Sequence, residues 1–348
     1  MLCGALLAIL LGASGSRAQP PPGDAGLHAE VTFSEYPPEA AGAEIVRRLL
    51  TPLAAAQVER TLKASHQQLR AASLDPGSER FTVYVPTHAA DAGYALLVFI
   101  PPWPEAKLPP GWQEALERYG TIFVSAAGSG NEANDLTRRV PLALMAVANL
   151  KRQYRLDAAR IYVGGFSGGA RVALRLALAY PDIFRGALLN AGSDPIDAAP
   201  PSPPSPALLH AFQAGSRIVY VTGEADPLHL RMDADSEESL RRFCQFNYHA
   251  DVTPRTAHEV AGAAAFAGAL HALLTPGARG AAKLEDCNAA LAQKVDAQLQ
   301  RVSGLIAGGH RAQAEEALLG LDRKMGGLAA PRSVQLQEEL GWQLPRGP

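Results

Sequence analysis

Short apolar segments alternate with longer amphipathic segments through the middle of the chain, and this alternation limits the fold more than any other feature. Runs typical of buried or half-buried strands occur at 81–85, 94–100, 121–125, 160–163, 186–190, 217–222 and 248–252. Helical periodicity separates several of them, at 136–154, 170–179 and 261–274. Strands that alternate with helices predict an α/β fold, a mostly parallel sheet flanked by helices.

The segments on either side of this region differ from it in composition. Residues 1–18 hold an apolar run followed by small residues and predict a signal peptide cleaved after Ala18, although no Lys or Arg precedes the run. Export to the periplasm or the medium is therefore expected. Residues 19–38 are rich in Pro, Gly and Ala and predict a flexible tether. The main domain is expected at 39–278, beginning with a helical pattern at 40–72, and a helical accessory region at 279–348.

Seven residues between the fifth and sixth predicted strands, 200–206, include five prolines. Proline lacks a backbone N–H and fixes φ, so this stretch is neither helix nor central strand. It predicts an exposed loop, either a stiff surface connection or a wall beside a site.

Composition excludes several classes of protein. A chain that is 47% hydrophobic and 19% charged buries a sizeable core, which excludes wholesale disorder. With 32 basic and 34 acidic residues the net charge is −2, so there is no overall positive field to attract nucleic acid. The apolar run in the signal is shorter than the roughly 18 residues that span a bilayer, and no transmembrane anchor is expected.

The cysteines fit an exported protein. Cys3 would leave with the signal, and the mature chain would keep Cys244 and Cys287. In an oxidising compartment these two are expected to form a disulfide, worth on the order of 4 kcal/mol in the chain-entropy interpretation. The alternative is two buried free thiols. Neither cysteine has a second Cys or a His beside it at ligand spacing, so no metal site is expected.

The residues with the clearest chemical meaning form a G-x-S-x-G motif at Gly165, Ser167 and Gly169. The motif alone is a weak signal. Here, however, an apolar strand runs directly into it and an amphipathic helix leaves it, the arrangement of a nucleophile elbow. Such a turn holds the serine exposed at the strand end, where an adjacent base and an acid can activate its hydroxyl. The alternative is a glycine-rich turn with a serine that caps the helix.

The stretch from Asp157 to Gly186, with the motif and the sequence Tyr-Pro-Asp-Ile-Phe-Arg-Gly at its end, resembles the α/β-hydrolase superfamily. Within the superfamily it is most similar to secreted poly(3-hydroxybutyrate) depolymerases and feruloyl esterases. The resemblance covers about 81–274. It implies a Ser, acid, His order, with the acid after the next-to-last strand and the His after the last.

These positions assign the remaining triad residues. Asp226 matches the family's Gly-x-x-Asp turn after strand 217–222; Glu224 is the runner-up, and both could be ordinary turn acids. His258 follows the last strand and precedes the last helix of the resemblance. His249 lies inside that strand and His229 only three residues from Asp226, so neither is expected to be the base.

The oxyanion hole is expected to use the backbone N–H groups of Gly168 and Trp103. The family usually has His-Gly in the second loop, whereas this chain has Pro101-Pro102-Trp103-Pro104, in which only Trp103 has an N–H. Trp103 and Phe166 are expected to line the substrate site; alternatively, Trp103 packs on the prolines at the rim.

The resemblance implies a serine esterase that acts through an acyl-enzyme, on a small-molecule or polymer ester, without metal or organic cofactor. Two alternatives stay open: a hydrolase fold that has lost turnover and binds a partner, and a serine peptidase of the same fold. The C-terminal helices could also bind a protein partner.

Overall fold

A single eight-stranded sheet forms the centre of the computed structural model, which describes residues 25–275 and 281–341. The predicted signal peptide, Cys3 and the start of the predicted tether lie outside these residues. The strands are β1 Gly26–Val31, β2 Phe81–Val85, β3 Tyr94–Ile100, β4 Thr121–Ala126, β5 Leu156–Phe166, β6 Gly186–Asn190, β7 Arg217–Gly223 and β8 Tyr248–Thr253.

The strand order is β1-β2-β4-β3-β5-β6-β7-β8. Strand β2 pairs antiparallel with both β1 and β4, and every other pairing is parallel. Strands β2 and β4 are buried along their whole length, since helices cover both faces of the sheet. The predicted α/β fold with a mostly parallel sheet is therefore confirmed.

Eleven α-helices lie within the described residues, and they form two hydrophobic cores, one on each side of the sheet. Helices α3 and α8 cover one face, and the larger core lies on the other. The bounds are α1 Gly42–Leu49, α2 Pro52–Ala64, α3 Gln113–Tyr119, α4 Val140–Gln153, α5 Gly168–Ala179, α6 Pro206–Gly215, α7 Pro227–Arg242, α8 Ala263–Leu274, α9 Ala281–Ala307, α10 Arg311–Met325 and α11 Arg332–Leu340.

All seven predicted strands are present, but the N-terminal prediction is wrong in two places. The second part of the predicted tether is ordered: it forms β1, and Phe33 packs on Phe81 in the core with ring centroids 4.5 Å apart. The predicted helix at 40–72 is two helices, because Pro52 begins α2 and Thr51 caps it through its side chain. The sequence signal for β1 is the alternation of Leu27, Ala29 and Val31 with polar residues, which the Pro-, Gly- and Ala-rich composition of 19–38 outweighed in the prediction.

The proline-rich segment is also not the exposed loop that its sequence predicts. Pro201, Pro203 and Pro204 are buried, and the N–H of Gly327 donates to the Pro203 carbonyl at 2.8 Å. A Cβ on Gly326 would lie 2.1 Å from the Ser202 hydroxyl oxygen, so the chain after α10 lies directly on this segment. A long-range contact from the C-terminal helices, which local sequence does not encode, covers the prolines.

The C-terminal helices pack on the rest of the chain. Helices α9, α10 and α11 contribute Val302, Leu318 and Leu336 to the larger core. A disulfide joins Cys287 in α9 to Cys244 after α7, with Cα atoms 5.8 Å apart. The domain boundaries at 278 and 279 remain a prediction.

In the described part of the chain, no helix combines the length and hydropathy that crossing a membrane requires.

Candidate active site

Ser167 stands at the turn between β5 and α5, in a backbone conformation that few side chains adopt, with φ of 54° and ψ of −124°. The turn is tight because both flanking glycines touch backbone. A Cβ on Gly165 would lie 2.3 Å from the Gly169 carbonyl carbon, and one on Gly169 would lie 1.9 Å from the Ile100 carbonyl oxygen. The motif therefore forms the predicted elbow, since only glycine fits at these two positions.

The structure brings the three residues predicted as a triad together at the carboxyl edge of the sheet. His258, after β8, lies with its Nε2 3.1 Å from Ser167 Oγ and its Nδ1 2.7 Å from Asp226 Oδ2. If Nδ1 donates to the carboxylate, Nε2 is left as an acceptor facing the serine hydroxyl. The arrangement is the one in which an imidazole can take a proton from a serine.

Asp226 follows β7 and caps the N-terminus of α7, with Pro227 at the first helical position. Its side chain is 6% exposed, whereas that of His258 is 39% exposed. Burial acts to raise the pKa of Asp226, but hydrogen bonds from His229 and His258 outweigh it and hold that pKa below its ordinary value. Glu224, the runner-up, instead accepts from the Arg255 N–H at 2.9 Å.

His229 is a residue of this site that sequence reasoning missed. Its Nδ1 lies 2.9 and 2.8 Å from the two oxygens of Asp226, and its ring stacks on that of His258 with centroids 4.1 Å apart. Its position only three residues from Asp226 argues against His229 as the base, but it does not exclude a contact with the acid. The signal that would have found it is the Asp-Pro helix start, which places the residue three positions later beside the cap.

Asp226, His229 and His258 have the composition of a two-histidine, one-carboxylate metal site. Their geometry does not suit one. The two imidazoles are stacked with an interplanar angle of 15°, and one ion cannot lie in both ring planes at once. Their Nδ1 atoms are also both at hydrogen-bond distance from the carboxylate. These three side chains therefore fit a hydrogen-bonded cluster better than a metal centre.

The two segments predicted to form the oxyanion hole lie against each other. Gly168 begins α5, where backbone N–H groups lack helical partners. The loop containing Trp103 continues from Ile100, which contacts Gly169, and the guanidinium of Arg139 donates to the Pro101 carbonyl at 3.3 Å. The roles of Gly168 and Trp103 remain predictions.

Asn131 is a second residue that sequence reasoning missed. A Cβ on Gly168 would lie 2.2 Å from Asn131 Oδ1, so this exposed amide stands beside the first residue of α5. The segment follows the carboxyl end of β4, at the same sheet edge as β3 and β5. Side chains that follow parallel strands meet at that edge, so a position just after β4 predicts a residue near the serine.

The two predicted substrate-contacting aromatics lie beside the imidazole. Phe166 is buried, with its ring centroid 4.8 Å from that of His258 and 6.1 Å from that of Trp103. Trp103 is half-buried, Lys107 Nζ lies 4.6 Å from its ring centroid, and its indole N–H has no hydrogen-bond partner among the described residues. Phe166 thus supports His258 directly, and substrate contact by either ring remains a prediction.

A polar cleft of about 480 Å³ adjoins Gly168 on the side of Asn131. Arg171 lies one turn along α5 and bonds Asp194, while Arg175 bonds Asp135. The side chain of Arg171 is still 45% exposed. The cleft is therefore lined by amide and guanidinium groups beside Gly168, the residue that follows the serine.

Taken together, the strand order, the antiparallel β2 and the serine elbow define the α/β-hydrolase fold. The predicted resemblance to that superfamily is confirmed for the fold.

No protein-family profile matches the chain. Among characterised proteins, it is 41% identical over 64 residues to poly(3-hydroxyalkanoate) depolymerase C of Paucimonas lemoignei, a match that covers 18% of this chain and only 16% of the depolymerase. Among solved structures, it is similar to a ferulic acid esterase, with 12% identity, 56% of this chain and 92% of that one covered, and a TM-score of 0.43. The S-formylglutathione hydrolase of Staphylococcus aureus is 10% identical, with 57% of this chain and 93% of the hydrolase covered and a TM-score of 0.44. The fold assignment rests on the strand order and not on these likenesses.

Proposed function

We propose that the protein is a serine esterase that cleaves carboxylic esters through a covalent acyl-enzyme. The observation that carries the proposal is the unbroken chain of close contacts from Ser167 Oγ through His258 to Asp226, with the serine on a glycine elbow. A serine that merely capped α5 would not need this chain, and its side chain makes no capping bond.

In the proposed reaction, His258 Nε2 takes the hydroxyl proton as Ser167 Oγ attacks the ester carbonyl. The N–H groups of Gly168 and Trp103 hold the negative oxygen of the tetrahedral intermediate. His258 then gives the proton to the departing alcohol, and a water activated by the same imidazole releases the acid. Asp226 stabilises the imidazolium in each half-reaction.

An ester is preferred to an amide because of the short match to the polyester depolymerase; the triad itself does not choose between them. The substrate is either a small ester or a polymer. The donors of Asn131 and Arg171 in the adjoining cleft suit ester oxygens, which accept hydrogen bonds but cannot donate them.

We also propose that the protein works outside the cytoplasm. The disulfide between Cys244 and Cys287 supports this location, because such bonds persist in oxidising compartments.

A fluorophosphonate probe followed by peptide mass spectrometry tests the proposal. We expect one adduct, on Ser167, together with hydrolysis of short p-nitrophenyl esters. Both should disappear in Ser167→Ala and persist in Ser65→Ala, which changes an exposed serine at the end of α2.

The alternatives predict different results. A folded wild-type protein that forms no adduct would be a hydrolase fold without turnover. Cleavage of aminoacyl or prolyl amides with no action on esters would instead indicate a peptidase.

A further inference from the structure

The first turn of α7 places a second imidazole on the candidate acid. His229 Nδ1 lies within 2.9 Å of both oxygens of Asp226, and Oδ2 also faces His258 Nδ1 at 2.7 Å. The side chain of His229 is only 16% exposed, less than that of His258. The carboxylate thus stands between two ring nitrogens.

We propose that His229 is a positioning residue of the hydrolytic site, which fixes both the acid and the base. The inference rests on the proposed function, since it assigns a role toward the same serine. His229 does not touch Ser167 and acts through Asp226 and His258.

The hydrogen bonds to Asp226 supply the first part of this role. Apart from the His229 imidazole, Asp226 is held by His258 at 2.7 Å and, more loosely, by the His229 backbone N–H at 3.4 Å. A carboxylate held in this way can still rotate about its terminal torsion, which has a broad energy profile. With His229 donating across both oxygens, the plane of the carboxylate is fixed and Oδ2 stays directed at His258. This additional donor also satisfies a carboxylate that is almost completely buried.

Ring packing supplies the second part. His258 lies between His229, whose centroid is 4.1 Å away, and Phe166, whose centroid is 4.8 Å away. The two neighbours restrict rotation of the imidazole and so keep Nε2 facing the serine at 3.1 Å. Losing this orientation would reduce the rate of proton transfer more than the binding of substrate.

Helix capping does not require this side chain. Asp226 already accepts from the backbone N–H of His229, at 3.4 Å, and any residue at that position supplies the same N–H. The imidazole contact is therefore additional to the cap, and its removal leaves the helix start in place.

Two substitutions separate the two parts. His229→Phe keeps a ring to stack on His258 and loses the donor, whereas His229→Asn keeps an N–H near the Nδ1 position and loses the ring. We expect His229→Phe to lower kcat by about 10- to 100-fold with KM within about twofold, the effect of one hydrogen bond to a charged group. His229→Asn should recover part of kcat, since it keeps a donor to Asp226 but not the ring that packs on His258. His210→Phe, an exposed histidine in α6, is the matched control and should match the wild type.

Steady-state kinetics on a p-nitrophenyl ester and the rate of fluorophosphonate labelling are measured for each variant, with melting curves to verify folding. A labelled, active wild type with His229→Phe equal to it in kcat would overturn the inference and leave the proposed function intact. A wild type that neither labels nor turns over would instead end the proposed function. If His229→Phe fails to fold, His229→Asn is compared with His229→Ala: equal kcat in these two variants would also overturn the inference.

Discussion

A single added methyl group should change stability in opposite directions at two glycines, Gly169 in the elbow and Gly320 in α10. At Gly169 an alanine Cβ would stand 1.9 Å from the Ile100 carbonyl oxygen, where Cβ contacts under 3.0 Å essentially never occur. Ile100 cannot retreat, because it ends β3 and pairs with Gly165 of β5. Overpacking usually costs about 1–3 kcal/mol, and a clash with paired backbone belongs at the upper end, about 3 kcal/mol or more. At about 2–4 °C per kcal/mol, Gly169→Ala should lower Tm by at least about 6 °C.

Gly320 in the middle of α10 is the matched control. Nothing lies within 4 Å of its added Cβ, so Gly320→Ala should stabilise the helix by about 0.5–1 kcal/mol through backbone entropy alone. Gly168→Ala separates chemistry from folding, since its Cβ would meet only the exposed side chain of Asn131, which can move. We expect that variant to keep its Tm and lose activity, because the methyl group stands beside the expected oxyanion donor. Thermal unfolding followed by tryptophan fluorescence gives the Tm values. A Gly169→Ala protein that melts within about 2 °C of the wild type would refute this account of the elbow.

Three further outcomes are expected. Replacing Cys244 and Cys287 by serine should lower the free energy of unfolding by about 4 kcal/mol, as the chain-entropy relation gives for a separation of 43 residues; unchanged urea unfolding would contradict it. Burial raises the pKa of Asp322, so the stability contributed by its protonated carboxyl is lost as the pH rises above about 4. The free energy of unfolding of Asp322→Asn relative to the wild type, measured in urea, should therefore increase from pH 4 to pH 8. A difference that stays constant with pH would count against burial as the cause. Trp112→Phe removes a 2.7 Å hydrogen bond from the buried indole N–H to the Ala261 carbonyl. It should lower the free energy of unfolding by about 2 kcal/mol and also lower kcat, which melting curves and ester-hydrolysis assays measure in parallel.

The sequence was sufficient to predict the elements that depend on local pattern. All seven predicted strands are present: β2 to β7 contain buried, mostly apolar runs, whereas β8 has no buried residue. The elbow was predicted because glycine is required at fixed spacing around Ser167. Strand β1 was missed although Leu27, Ala29 and Val31 alternate with polar residues, because the strand lies in a segment whose Pro, Gly and Ala content predicts a tether. The burial of Pro203 could not be predicted, because helices more than a hundred residues later cover it.

The site shows the same difference between features that local sequence pattern predicts and features that depend on distant contacts. Ser167, Asp226 and His258 follow strand ends in a fixed order, and the structure places Ser167 and Asp226 each within hydrogen-bond distance of His258. His229 was missed because its position depends on the cap of α7 and on a ring contact with a residue from another segment. Chain order gives the residues at a sheet edge, but not the partners that hold them there.

One buried side chain links the segments that carry the proposed triad. Asn190 ends β6, between the strand that precedes Ser167 and the strand that precedes Asp226. Its backbone carbonyl accepts from the Ser167 N–H at 2.9 Å, and its amide accepts from the Ala261 N–H at 2.7 Å, three residues after His258. The same amide donates to the Val221 carbonyl in β7 at 2.9 Å. Because one residue bonds the elbow, the histidine loop and the strand that precedes the acid, the segments that carry the three chemical groups are held together from β6, in addition to the contacts among the side chains themselves.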